Sequence, residues 1–324
     1  MKYTRLGATD LNVSRICFGT WQFGGDWGGI EKQGAIDAVH LARELGINFF
    51  DTAQGYGWGA SERLLGEALR DDIENRRDEI VIATKGGLRM EAGGLKRDAS
   101  EAWLRQGVEE SLRNLGVDHI DLYQVHWPDP NVPIEETAGV LDGFVQEGKV
   151  RYVGVSNYSV EEMEAFARRR KLDSDQPAYH FFRRDIEEDV LPWCHEHQVG
   201  VLVYGTLAHG LLTGKFDENT TFPDDDWRSG SELFQGEAFR RNLDTVRALG
   251  QLADERGITV GQLAIAWALA NPAVHVAIVG ARNPQQVVQN APAAEFALDS
   301  DELTRIDNIM EGAVAVGGPT PERV

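Results

Sequence analysis

The sequence predicts an α/β protein: a closed (β/α)8 TIM barrel with an N-terminal β-hairpin and two extra helices, residues 1–324 forming a single domain. Three observations carry this reading. Eight short apolar runs rich in β-branched and aromatic residues alternate with longer stretches of helical period. No Pro/Ser-rich linker and no shift of composition divides the chain, and single barrels routinely exceed about 200 residues. Nearly every apolar run ends in a polar or charged residue, as expected where the functional groups of a barrel ring the carboxyl ends of its strands.

The elements follow in order. TRLGATDLNVS (4–14) reads as a hairpin across the barrel floor, and RICFGT (15–20) as the first strand. Ala35, Ala38, Val39 and Ala42 recur at helical spacing, and Leu45-Gly46 closes that helix. INFFDT (47–52) is the second strand, followed by a helix on Leu64, Leu65, Ala68 and Leu69; EIVIATK (79–85) is the third. Leu104, Val108, Leu112 and Leu115 share one face of a helix that Ser100 caps. HIDLYQVHW (119–127) comes fourth, and the helix after it is opened by Pro133 and ended by Gly148. VRYVGVSN (150–157), SDQPAYH (174–180), VGVLVYG (199–205) and HVAIVGA (275–281) complete the set. The extra helices fall at about 236–256, before the helix carrying Leu263, Ala264 and Trp267, and at about 300–311.

Composition narrows the class of function. Hydrophobic residues make up 42 % and charged residues 26 %, the balance of a globular protein. The net charge of −20 opposes any nucleic-acid partner. No run approaches eighteen uncharged apolar residues, and the first residues lack the apolar core of a signal peptide, so a cytoplasmic protein without membrane contact is expected. Cys17 and Cys194 lie far apart among apolar neighbours, so they read as free buried thiols, with no metal role.

The strand ends carry Gly19-Thr20-Trp21, Asp51, Lys85, His126, Ser156-Asn157, Gln176, Tyr204 and Gly280-Ala281-Arg282. Asp51, Tyr56, Lys85 and His126 lie at or just after consecutive ends, so a barrel brings them to one mouth. Any one of them alone would more often be a cap or a satisfied hydrogen-bonding residue. Together they form a proton-transfer unit. A phenol is a poor acid at neutral pH, but one ammonium at about 4 Å in an effective dielectric near 20 is worth roughly 4 kcal/mol, or about three pKa units before desolvation. Lys85 supplies that charge, Asp51 keeps it ionised, and His126 aims a second donor at the oxygen that Tyr56 protonates. Such a unit suits a carbonyl becoming an alkoxide. The attack on carbon then comes either from a bound hydride donor or from Lys85 itself as a Schiff base, which would make the chain an aldolase or lyase.

GYGWGA (55–60) fits the glycine-rich dinucleotide fingerprint, but Tyr56 and Trp58 occupy the positions of closest approach and the next strand ends in Thr84-Lys85 with no acid for a ribose hydroxyl. A better anion cradle is VGARNPQQVVQNA (279–291): Asn283 caps a helix that Pro284 opens, Gln286 falls at its third position, and Arg282 stands one residue upstream. Lys215, in the loop after the seventh strand, offers a second contact. Ser156, Asn157 and Gln176 suit a carboxamide, and Tyr204 presents a ring face for a heterocycle.

FDTAQGYGWGASE, VIATK, VHWPD, GVSNYS, QPAYH, VYGTLAHGLLTGKF and IVGARNPQQVVQN stand in this order over nearly the whole length, and with them the chain resembles the aldo-keto reductase family. The resemblance implies a barrel without a Rossmann domain that binds NADPH, with NADH as the alternative, across its mouth and reduces aldehydes or ketones, its partner being a small-molecule carbonyl substrate. By position, Asp51, Tyr56, Lys85 and His126 look like the catalytic tetrad, Tyr56 being the proton donor. Gly19, Thr20, Trp21 and Asp51 would border the cofactor, Ser156, Asn157 and Gln176 would hold its carboxamide, and Tyr204 would stack on the ring. Gly205, Thr206, Leu207 and Lys215 would line the pyrophosphate, and Gly280, Arg282, Gln286, Gln289 and Asn290 the adenosine end. The chain departs from many relatives at Gly205-Thr206, where they have Ser-Pro, at His180, where they have asparagine, and at Gln286, where some place an arginine. Arg282 is then the main candidate for a 2′-phosphate. Trp21, Trp58 and Trp127 would wall the substrate pocket and Trp27 would close over it. Some proteins resembling the family are cofactor-sensing regulatory subunits, which gives a non-catalytic alternative. The sequence leaves the oligomeric state open.

Overall fold

The computed structural model describes residues 1–25, 29–92, 94–224 and 226–321. Along the chain come β1 (Tyr3–Arg5), β2 (Asn12–Ser14), β3 (Ile16–Gly19), α1 (Lys32–Glu44), β4 (Phe49–Asp51), α2 (Ala60–Ala68), α3 (Arg70–Asn75), β5 (Val81–Gly86), β6 (Leu88–Glu91) and β7 (Gly94–Arg97). Then follow α4 (Glu101–Leu115), β8 (Ile120–Val125), α5 (Ile134–Gln146), β9 (Val150–Ser156), α6 (Val160–Arg169), β10 (Ser174–Gln176), α7 (Val190–Glu196) and β11 (Gly200–Val203). The chain ends through α8 (Gly236–Glu255), α9 (Val260–Ala270), β12 (Val276–Gly280), α10 (Pro284–Asn290) and α11 (Ser300–Met310).

Eight parallel strands close in the order β10-β11-β12-β3-β4-β5-β8-β9, each beside its predecessor in the barrel. This is the expected (β/α)8 barrel, and its strands are buried on both faces because helices cover the outside. The interior floor is filled by Leu6, Leu11 and Val13 from the hairpin segment against Cys17, Phe49, Val81, Leu122, Leu202 and Val276. The β1–β2 hairpin therefore plugs the amino-terminal end, as expected. Burying these side chains contributes about 1.5–3 kcal/mol for each large one. Ser100 accepts from Trp103 N at the start of α4, while Pro133 occupies the capping position of α5 and not its first turn. The extra helices are α8 and α11. The antiparallel hairpin β6–β7 after β5 was not foreseen.

Candidate active site

The register sets the functional layer. Gly19 pairs with Asp51, Asp51 with Ala83, Lys85 with Gln124, Gln176 with Ser156, and Gly280 with Gly19. The strand-end residues picked from sequence therefore share one rim.

Asp51 and Lys85 are 2 % and 1 % exposed, and Lys85 Nζ donates to Asp51 Oδ2 at 2.7 Å. The ammonium also donates to Thr52 O at 2.9 Å and to Tyr56 Oη at 3.3 Å. Three donors thus meet three acceptors, the condition under which a buried cation is tolerated. Burial pulls the ammonium toward neutrality, but Asp51 and Tyr56 more than offset it and leave Lys85 above the ordinary lysine value. The second carboxylate oxygen of Asp51 accepts from Gln176 Nε2 at 2.9 Å. Both oxygens are fixed.

Tyr56 lies on the loop between β4 and α2. Its N–H donates to Ala53 O at 3.1 Å and its carbonyl accepts from Ser61 N at 3.2 Å. Gly57, Trp58 and Gly59 follow in left-handed backbone, which explains the glycines of GYGWGA as turn geometry. A Cβ on Gly24 would come within 2.8 Å of the Tyr56 carbonyl carbon and the Gly57 nitrogen, so the first strand-end loop presses against the second. The Trp21 and Tyr56 rings stack at 6.1 Å, and the His126 ring meets Tyr56 edge-on at 5.5 Å. Burial, with the nearby Lys85 charge, holds His126 well below the usual imidazole range, so it is neutral at neutral pH. Its Nδ1 is buried without a hydrogen-bond partner among the described residues.

Ser156, Asn157, Gln176 and Tyr204 form a connected set. Tyr204 Oη donates to Asn157 Oδ1 at 2.8 Å, and Asn157 Nδ2 donates to His126 O at 3.2 Å and Ser156 Oγ at 3.0 Å. Ser156 Oγ donates to Gln176 O at 2.7 Å. Asn157 takes a left-handed backbone, φ +63°, to make these bonds. The donors of Ser156 and Asn157 are thus committed internally, bracing Tyr204. Because Gln176 gives its N–H to Asp51, its Oε1 is the acceptor it can offer to a carboxamide. Burial pushes the Tyr204 phenol up to about 12, which keeps it neutral.

At the far end Thr206 is buried, its Oγ1 on Ile278 O at 3.4 Å; Gly205 is left-handed, and Ala208, His209 and Gly210 continue the turn at φ +45°, +57° and +100°. Lys215 is exposed. Asn283 caps α10 through Gln286 N at 3.1 Å, and Gln286 Oε1 accepts from Arg282 N at 2.7 Å, one residue upstream of a standard capping box. Arg282 is half-buried, its pKa lowered first by burial and then by neighbouring Arg228. Gln289 is exposed, and Asn290 lines a narrow crevice between α10 and the barrel wall. A Cβ on Gly280 would meet the Gln22 side chain at 2.2 Å, so Gln22 lies directly over that strand end.

The tryptophans divide. Trp21 faces Tyr56, Trp127 packs beneath the Arg97 guanidinium at 5.0 Å, and Trp58 is 37 % exposed. Trp27 lies outside the described residues. Two groups escaped the sequence reading. Arg228, held by Asp226 at 2.9 Å and donating to His209 O at 2.9 Å, brings a second guanidinium near Arg282; its loop position gave no signal. Gln124, fully buried in β8 with its Oε1 3.4 Å from Gln176 Nε2, was legible as an amide on the inward face of an apolar strand.

The pattern of the Aldo/keto reductase family matches residues 15–311. The chain is 41 % identical to Aldo-keto reductase YhdN of Bacillus subtilis (strain 168), over 97 % of its own length and 95 % of that protein. It is 33 % identical to the NADH-specific methylglyoxal reductase of Escherichia coli (strain K12), over 96 % and 99 % of the two chains. The structure of the glycerol dehydrogenase AKR11B4 from Gluconobacter oxydans superimposes with a TM-score of 0.88 at 38 % identity, covering 98 % of each chain. The chain belongs to the aldo/keto reductase family of oxidoreductases.

Proposed function

We propose that this protein reduces small aldehydes or ketones to alcohols with a nicotinamide cofactor, NADPH being preferred, and that Tyr56 is the proton donor. One observation carries the reading: Lys85 Nζ stands 3.3 Å from Tyr56 Oη and 2.7 Å from Asp51 Oδ2. A buried ammonium held beside a phenol stabilises the phenolate, so the proton leaves at low cost when negative charge develops on a carbonyl oxygen. Neutral His126, with its N–H on Nε2, directs a second donor to the same oxygen.

The chain's residues fit the cofactor. Gln176 offers Oε1 to a carboxamide, the braced Tyr204 ring offers a face to the pyridine, and Gly205 to Leu207 with Lys215 suit the pyrophosphate. Arg282, Gln286, Gln289 and Asn290 would meet the adenosine end, with Gly280 beneath Gln22. When bound, the cofactor supplies the hydride. The neighbouring Arg282 and Arg228 favour a 2′-phosphate, although a relative is NADH-specific by name. The raised pKa of Lys85, and the commitment of its three hydrogens, weigh against a Schiff base on this lysine. The complete set of four weighs against a purely regulatory role.

The test is NADPH oxidation with a panel of small aldehydes and ketones that includes methylglyoxal. Turnover is expected to fall about a hundredfold or more in Tyr56→Phe, the range of a lost general acid, while cofactor still binds by fluorescence titration. A fully active variant overturns the assignment. For the cofactor, Arg282→Ala is expected to raise the KM for NADPH about tenfold and leave that for NADH unchanged, as loss of a charged contact to one phosphate predicts. Equal use of both cofactors by the parent defeats the preference.

A further inference from the structure

Ser61 stands in the first turn of α2, directly behind the loop that carries Tyr56, and is completely buried. Its Oγ contacts Thr20 Oγ1 at 2.7 Å, Thr20 O at 2.9 Å and Thr52 Oγ1 at 2.9 Å. Counting protons orders these contacts. Thr20 Oγ1 donates to Asp51 O at 3.1 Å, so it accepts from Ser61; the single Ser61 proton is shared between Thr20 Oγ1 and Thr20 O, and Thr52 Oγ1 is therefore the donor to Ser61. The result is a buried chain of three hydroxyls running from Thr52 through Ser61 and Thr20 to the backbone of Asp51.

What the chain joins gives it meaning. The backbone N–H of Ser61 holds Tyr56 O at 3.2 Å. Thr52 O accepts from Lys85 Nζ, and Asp51 bears the carboxylate paired with the same ammonium. Ser61 is thus bonded through its backbone to the residue that bears the phenol and through its side chain to the strand ends that hold the amine. On its other side the Tyr56 loop is fixed by glycine packing, since a Cβ on Gly57 would lie 2.6 Å from Gly24 O.

We propose that Ser61 is a positioning residue whose hydroxyl sets the separation between Tyr56 Oη and Lys85 Nζ. The inference rests on the reading of Tyr56 as proton donor. Removing the hydroxyl takes from the buried Thr52 Oγ1 its acceptor and from Thr20 Oγ1 its donor, a situation that proteins relieve by small backbone shifts. Any lengthening of the amine–phenol contact weakens the charge stabilisation of the phenolate.

The test uses the cofactor-free protein and the absorbance of tyrosinate during a pH titration. Subtracting the Tyr56→Phe trace isolates Tyr56. Ser61→Ala is expected to raise the titration midpoint of Tyr56 by about half a pH unit or more and to lower kcat about tenfold, with KM and cofactor affinity within about twofold. An unmoved midpoint, whether or not kcat falls, overturns the proposal, because a merely structural serine would lower activity without touching the phenol. Should Ser61→Ala fail to fold, Thr52→Val is expected to move the midpoint in the same direction, and Thr52→Ser, which keeps the hydroxyl, to match the parent. A Thr52→Val protein titrating like the parent then refutes it. An active Tyr56→Phe enzyme removes the functional reading itself, while a normal Ser61→Ala titration beside an inactive Tyr56→Phe removes only this inference.

Discussion

Asp51 and Asp175 are both buried aspartates near the carboxyl ends of barrel strands, 2 % and 0 % exposed, yet they are built in opposite ways. Asp51 ends β4 and points into the mouth, where Lys85 and Gln176 occupy its two oxygens. Asp175 precedes Gln176 in β10, and since neighbours in a strand face opposite sides, it points outward under the helices. Its oxygens meet no side-chain hydrogen-bond partner among the described residues, and burial, only partly offset by the Gln176 backbone N–H, pushes its pKa up to about 8. Tyr158 and Cys194 share its surroundings, burial raises both, and no cation among the described residues acts on Asp175. The charge at the proposed catalytic centre is tolerated because a counter-charge and an amide are supplied there. At Asp175, where neither is supplied, the same carboxyl group is driven neutral.

The comparison breaks most sharply at Lys85. Lys85→Met leaves Asp51 buried with one partner of two, and loss of half a buried pair costs about 3–5 kcal/mol. Urea unfolding is expected to show that loss together with a collapse of turnover; an unchanged midpoint would mean that the Lys85–Asp51 pair does not help hold the fold.

At Asp175 the sign reverses. Between about pH 4 and 8 the folded state retains a proton that the unfolded state has released, so each pH unit upward weakens the fold by roughly 1.4 kcal/mol and the slope vanishes once both states are ionised. Asp175→Asn is therefore expected to gain stability over the parent as pH rises from 5 to 8, by roughly a few kcal/mol, with turnover retained. Parallel stability profiles for the two proteins would show that the carboxyl group ionises freely. The smallest effect belongs to a pair outside this contrast. Arg305 and Glu255 bond at 2.8 Å but are 49 % and 56 % exposed, so Arg305→Ala is expected to leave the urea midpoint and kcat essentially unchanged. A larger loss there would show that surface pairs, too, are part of what holds the barrel.

The eight strands were legible because parallel strands covered on both sides must be continuous apolar runs, and 81–86 and 120–125 have no exposed position. The β6–β7 hairpin was not, because the alternation of LRME lasts only four residues and GLKR carries none, too short a signal for a strand pair. The hairpin is held by contacts distant in sequence: Trp103 Nε1 donates to Leu88 O at 2.9 Å, and Arg89 lies 5.6 Å from the Trp103 ring. Asp51, Lys85 and His126 could be picked out since each ends a run. Their partners could not: the Gln176–Asp51 bond joins residues 125 apart, and only the closed register brings β10 across from β4. The left-handed Asn157 and the pairing of Arg282 with Arg228 are likewise products of closure, invisible to spacing.

The mutual contact of Gly24 and Gly57 has a consequence for anyone wishing to redesign this protein. Neither position can accept even a methyl group without forcing two backbones apart, so the half of the rim built from Trp21 and Tyr56 behaves as one solid piece. Attempts to widen or reshape the entrance by random substitution should therefore yield survivors on the opposite half, among the long connection after β11, while changes at the glycines surface only as inactive chains.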